Sequence, residues 1–252
     1  MGPGGAAPEQ ASSEAVSLLR DDLGRIRLLT IDRPERRNAV DTATVEAIAD
    51  AVDGARVVVL TGAGGHFCSG ADLGGVEDAV FVDALGRALD ALRSPDVVSI
   101  AAVDGVALGA GTQLAVSCDL RVASPGARFG VPAAKLGLAV DHETVRRLAQ
   151  LAGDGTARAM LLACEVVDGE AAHRTGFVQR LGDLDDAVEW AAEVAALAPL
   201  TQAAHKLALE VTPARAADAA VDEARRRAWS SEDFQEGLAA FRARRGPAFR
   251  GR

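Results

Sequence analysis

The sequence predicts an α/β protein with largely parallel sheets and a helical C-terminal section. Three observations carry this. Continuous apolar runs such as Val57-Val58-Val59-Leu60 are the pattern of strands buried on both faces. Such runs alternate with stretches of helical periodicity, as they do when crossover helices join parallel strands. After about Asp141 the strand pattern thins and helical spacing dominates.

The elements follow in order. Two strands, over 16–22 and 25–32, flank Leu23-Gly24. A helix opens at Asp41, whose short carboxylate suits an N-cap, carries Val45, Ile48 and Val52 at helical spacing, and closes near Gly54. The strand at Val57 runs into a glycine-rich loop from Thr61 to Gly70, followed by a helix from Val76 to Leu92 and a strand from Val97 to Val103. Gly105 to Gly111 forms a second glycine-rich turn. It leads into a short helix through Ala115 and a strand from Asp119 to Ala123. Further on, one helix aligns Val188, Ala191, Ala195 and Ala198 and is stopped by Pro199. The last opens at Ser230-Ser231, aligns Phe234, Leu238 and Phe241, and ends at Gly246-Pro247. The expected organisation is a flexible tail over 1–14, an α/β core over 15–190 and a helical region over 191–252.

Composition excludes several functions. Hydrophobic residues make up 49% of the 252 and charged residues 25%, a globular balance. Aromatics are only 4%, with no tyrosine, so the core is built from Ala, Val and Leu. A net charge of −9 argues against nucleic acid as a partner, because duplex binding needs a basic face. Cys68, Cys118 and Cys164 are too few and too far apart for a disulfide framework or a CxxC metal site. No run reaches the ~18 apolar residues of a membrane helix, and the first residues lack the basic and apolar segments of a secretory leader. The expectation is a cytoplasmic protein without membrane insertion.

Most short motifs read as turns. Gly62-Ala-Gly64-Gly65-His66-Phe67 puts Phe where a dinucleotide-binding fingerprint needs its third glycine. No phosphate-binding P-loop and no nucleophile elbow occur. Asp141, His142 and Glu143 are consecutive, so their side chains diverge and no metal is expected. Arg33, Arg36 and Arg37, and the C-terminal Arg242, Arg244, Arg245, Arg250 and Arg252, fit either a solvated face or a local site for a polyanionic small molecule. The two glycine-rich turns are more specific. Residues 67–73 and 107–115 each follow a buried strand, and small residues there let a ligand approach the backbone. Side by side, they would aim a pair of N–H donors at one oxygen.

At these residues the sequence resembles the crotonase family of enoyl-CoA hydratases and isomerases. Residues 31–40 resemble the family's opening motif, 58–73 its first oxyanion turn and 103–124 its second. Residues 176–180 and 236–249 resemble later segments, so the likeness covers about residues 16 to 250. It implies a spiral of repeated ββα units, a C-terminal helical trimerisation region and a fatty acyl-CoA thioester as ligand, held by a homotrimer or dimer of trimers. Coenzyme A enters as part of the ligand, and no separate cofactor is implied.

Carried over, the N–H groups of Ala71 and Ala110 would bind the thioester carbonyl. Arg36, Arg37, Asn38, Ala39, Ala71, Asp72, Leu73, Ala110 and Phe249 would form the substrate site. The family's hydratases bracket a water with two glutamates, and here those positions hold Gln113 and Ala133. Gln cannot accept a proton at physiological pH and Ala has no polar group. Asp141 falls where dienoyl-CoA isomerases carry a functional aspartate, although it equally fits a helix N-cap. The run Asp119-Leu-Arg-Val, with Gln113, residues 135–141 and 146–148, is most similar to an actinobacterial branch that lacks both glutamates and binds acyl-CoA. The leading expectation is therefore acyl-CoA binding in lipid metabolism with weak or no hydratase activity. The alternatives are an isomerase using Asp141, or an ordinary hydratase.

Overall fold

A computed structural model describes residues 17–72, 79–210 and 230–252, with positions 223 and 227. The expected tail over 1–14, Leu73 and the start of the helix expected at Val76 lie outside the described residues. So do the side chains of the expected Phe234, Leu238 and Phe241 stripe.

Strands β1 (Leu18–Leu23) and β2 (Ile26–Ile31) form an antiparallel hairpin. From β2 the sheet continues in parallel through β3 (Val57–Gly62), β4 (Val98–Val103), β6 (Leu120–Ala123) and β9 (Arg180–Leu181). The period of two along β3 decides which layer each residue serves. Val57 and Val59 join Ile26, Ile100, Ala102 and Val122 under one layer, while Val58 and Leu60 join Leu29, Ala101 and Val103 under the other.

The second of these layers holds α1 (Thr42–Val52), α2 (Ala79–Arg93) and α3 (Ala110–Ser117). Asp41 caps α1 by accepting the Thr44 N–H at 2.9 Å. The other layer is α7 (Leu184–Ala195), whose buried face is Ala187, Ala191, Val194 and Ala195. This shifts the expected stripe: Val188 and Ala198 are only partly buried. The helix also runs through the boundary expected at 190/191, and its packing ties it to the core sheet.

Three short strands escaped the sequence pattern because three residues are too few to show a period. β5 (Val106–Leu108), β7 (Arg128–Gly130) and β8 (Val166–Asp168) make a separate sheet, with β5 and β7 parallel. Beyond it lie α4 (His142–Ala152), α5 (Asp154–Leu162) and α6 (Gly169–Arg174). Pro199, expected as a stop, opens α8 (Pro199–Glu210), since proline costs nothing where the first-turn N–H has no intrahelical partner. The buried Lys206 ammonium fastens α8 to the core through Leu92 O, Val97 O and Asp119 Oδ2 at 2.8–3.1 Å. The last helix, α9 (Glu232–Ala243), starts close to the expected Ser230-Ser231. No described helix is long and apolar enough to cross a membrane.

Candidate acyl-thioester site

Two loops that are remote in sequence are laced together as if they were strands. Cys68 N–H donates to Val106 O at 2.9 Å and Leu108 N–H to Cys68 O at 3.0 Å, so the loop after β3 pairs in parallel with β5. Gly111 allows this approach, because a Cβ there would collide with the Cys68 carbonyl. Gly109 turns the chain into α3 with φ 53° and ψ −117°, a conformation that side chains oppose. The Thr112 hydroxyl, 2.6 Å from Ala107 O, also accepts the Gly130 N–H and pins the turn to β7.

The result brings Ala71 and Ala110 to the wall of one cavity of about 540 Å³. Ala110 is the first residue of α3, where no intrahelical acceptor exists. Neither its N–H nor that of Ala71 finds an acceptor among the described residues. Gln113, one turn further along α3, lines the same wall, as do Pro132 and Ala133. Arg36, Arg37, Ala39 and Asp72 stand on it too. Leu85 and Phe81 of α2, with Val82, Leu136, Leu138 and Val140, supply an apolar side. The α2 residues lay in the expected helix at helical spacing, but nothing local linked them to a site.

Several expected site residues serve otherwise. Asn38 is fully buried and off the wall; its side chain accepts from Arg33 N–H and donates to Ala63 O and His66 O at 2.6–2.9 Å, bracing the loop that carries Ala71. Its left-handed φ of 57° is one that asparagine tolerates. Phe249 lies against Gly237 of α9 and not on the cavity wall. Among the C-terminal arginines, Arg245 pairs with Glu236 and Arg252 with Glu232.

Asp141 is also off the wall. It is the N-cap of α4: Oδ1 accepts the Thr144 N–H at 2.9 Å, and Oδ2 accepts the Thr144 hydroxyl at 2.5 Å and Gln113 Nε2 at 3.0 Å. Partial burial opposes its charge, but the hydrogen bonds from Thr144 and Gln113 prevail and hold the carboxyl below its ordinary value. At the mouth, Asp72 pairs with Arg36 at 2.5 Å and with Arg33 at 3.2 Å, and Arg33 also meets Asp41 at 3.0 Å. Burial pushes the Cys68 thiol up to about 12, so it is not a nucleophile at neutral pH. Among the described residues no cluster of three or more His, Cys, Asp or Glu is placed to hold a metal ion.

The family profile described as Enoyl-CoA hydratase/isomerase matches residues 23–252. The chain belongs to this family. A relative named "Probable enoyl-CoA hydratase echA6" from Mycobacterium tuberculosis is 45% identical over 238 residues, which is 89% of this chain and 96% of the relative. The 2,3-dehydroadipyl-CoA hydratase of Escherichia coli is 33% identical, covering 90% of this chain and 96% of the relative. Among solved structures, a probable enoyl-CoA hydratase/isomerase from Mycobacterium abscessus superposes with a TM-score of 0.83 at 36% identity, over 94% of this chain and all of the other. An enoyl-CoA hydratase/carnithine racemase from Magnetospirillum magneticum gives 0.84 at 29%, over 94% and 97%. The fold is thus that of the crotonase family.

Proposed function

We propose that this protein binds fatty acyl-CoA thioesters in its cavity and hydrates enoyl-CoA weakly or not at all. One observation carries the reading. Two backbone N–H donors stand open on the wall, while the sole carboxylate there among the described residues, Asp72, is engaged by Arg33 and Arg36.

The N–H groups of Ala71 and Ala110 take the thioester oxygen, and neither depends on a side chain. Such a donor is worth roughly 2.7–4 kcal/mol of transition-state stabilisation in a comparable enzyme, so the carbonyl is still polarised. Hydration needs in addition a base for the water and an acid for the α-carbon, each worth about 10²–10⁴-fold. Gln113 and Ala133 supply neither. The acyl chain lies along Phe81, Val82, Leu85, Leu136 and Leu138, and the phosphates near Arg36 and Arg37. Relatives named as hydratases of CoA thioesters support the ligand class.

An isomerase using Asp141 requires that carboxylate to reach the acyl carbons. Gln113 stands on the wall in its place, and the Asp141 carboxylate already accepts three hydrogen bonds. The protein is further proposed to be cytoplasmic and to form a homotrimer or dimer of trimers, which light scattering at micromolar concentration tests; a monomer would refute the oligomer.

The deciding experiment incubates the protein with crotonyl-CoA, a 3-enoyl-CoA and a saturated acyl-CoA, following binding and turnover together. Binding of all three with turnover at background supports the proposal. Robust hydration overturns it, and isomerisation abolished by Asp141→Asn establishes the isomerase instead.

A further inference from the structure

Gln113 has an orientation as well as a position. Its Nε2 donates to Asp141 Oδ2 at 3.0 Å and lies 3.4 Å from Thr144 Oγ1. An ionised carboxylate only accepts, so the amide must present its nitrogen to Asp141 and its oxygen elsewhere. That oxygen has no partner among the described residues, yet it is not among their sealed, unpartnered polar atoms. Gln113 lines the cavity, and Oε1 is the side-chain atom left there without a protein partner. Gln113 follows Ala110 by three positions on α3, which sets the two on one helix face about 5–6 Å apart.

We propose that Asp141 is a positioning residue that fixes the Gln113 amide with its oxygen toward the ligand, making the site select acyl thioesters that carry a hydroxyl near the carbonyl. The inference rests on the acyl-CoA reading above. With the thioester oxygen on the Ala110 and Ala71 N–H groups, a hydroxyl on carbon 2 or 3 of the acyl group comes within reach of Gln113 Oε1. A saturated or enoyl chain offers no donor there and leaves that oxygen facing carbon. Of the other lining residues, Ala133, Leu85, Leu136, Leu138 and Val140 offer no polar side chain to serve a hydroxyl instead. One neutral hydrogen bond gives a preference of about three- to tenfold.

The test is calorimetric titration with both enantiomers of 3-hydroxybutyryl-CoA, with 2-hydroxybutyryl-CoA and with butyryl-CoA. The unmodified protein is expected to bind one hydroxylated thioester about three- to tenfold more tightly than butyryl-CoA. Gln113→Met keeps the volume, removes the acceptor and brings the ratio to about one. Asp141→Asn keeps the helix cap, since asparagine is as good an N-cap as aspartate. Its new amide donates to Gln113 and turns that amide over, so that Nε2 faces the ligand and 3-oxobutyryl-CoA, which can only accept there, gains on butyryl-CoA, a gain the unmodified protein does not show. A merely structural Asp141 would change all affinities together and leave the ratio alone. Equal binding of all four thioesters by the unmodified protein, or no gain of 3-oxobutyryl-CoA over butyryl-CoA in Asp141→Asn, overturns the inference and leaves the function standing. Failure of every thioester to bind overturns both.

Discussion

At its C-terminal end, α3 presents carbonyls that buried guanidiniums take up. Arg121 donates to Ala115 O, Cys118 O and Asp119 O, and Arg147 to Val116 O and Cys118 O. At the N-terminal end of the same eight-residue helix, the Ala110 N–H meets no acceptor among the described residues. Every helix end leaves backbone groups that protein, water or ligand must satisfy. This helix closes one end with protein and opens the other to a cavity. The polarity agrees with its dipole, cations at the C-terminus and open N–H donors at the N-terminus.

The largest effect should come from giving the open end the groups it lacks. Gln113→Glu with Ala133→Glu is expected to raise crotonyl-CoA hydration at least ~10²-fold, since a positioned acid or base is worth about 10²–10⁴-fold each. A glutamate at 113 would face the Asp141 carboxylate, and like charges raise a carboxyl pKa. Adding Asp141→Asn should therefore move the acid limb of the pH–rate profile to lower pH, which a steady-state comparison of the double and triple variants checks.

Breaking the closed end comes next. Burial lowers Arg121 to about 10, so it stays charged at neutral pH, and its donors serve five oxygen acceptors with Phe177 O and Gln179 included. Arg121→Met orphans Ala115 O and Asp119 O, while Cys118 O, Phe177 O and Gln179 Oε1 keep other donors; at about 1–3 kcal/mol per buried group the loss is about 2 kcal/mol or more. The urea midpoint should fall accordingly, without any role for the ligand.

The rim tests a weaker link. Arg36 is already paired with Asp72 and more than half exposed. Replacing Arg36 and Arg37 together with Ala should weaken CoA binding by a few tenths to about 1 kcal/mol each, typical of exposed charges, and flatten its salt dependence. Unchanged affinity in calorimetry would move the phosphate site elsewhere.

The smallest effect concerns Asp141. With its pKa below the ordinary 3.8, its contribution to stability is present above that value and is lost as pH falls through the lower folded one. Carboxyl titration by NMR should find it ionised when aspartates without such hydrogen bonds are half protonated. Asp141→Ala should cost about 1 kcal/mol through the lost cap.

The open end was more legible in the sequence than the closed end. Glycines at 109 and 111 announce a close backbone approach on their own, and Asp41 and Asp141 stand three residues before threonines, a spacing local enough to read as caps. Arg121 sits in an otherwise apolar strand with nothing nearby to explain it, because its acceptors come from α3 and from Phe177 and Gln179. The Gln113–Asp141 contact spans 28 residues and exists only once α4 packs on α3. Asn38 was placed in the site by likeness to a motif, when its side chain braces the loop beneath. Sequence pattern thus marked the two turns, family resemblance singled out Ala71 and Ala110 within them, and tertiary packing decided what the surrounding side chains do.

If the function proposed above is right, the Ala71 and Ala110 N–H groups hold a thioester carbonyl. Infrared difference spectra of a saturated acyl-CoA carrying ¹³C at the thioester carbon report on that bond directly. On binding, the labelled C=O band should move to lower frequency, and equally so in Gln113→Met. A bound thioester whose band stays at its frequency in water would contradict it.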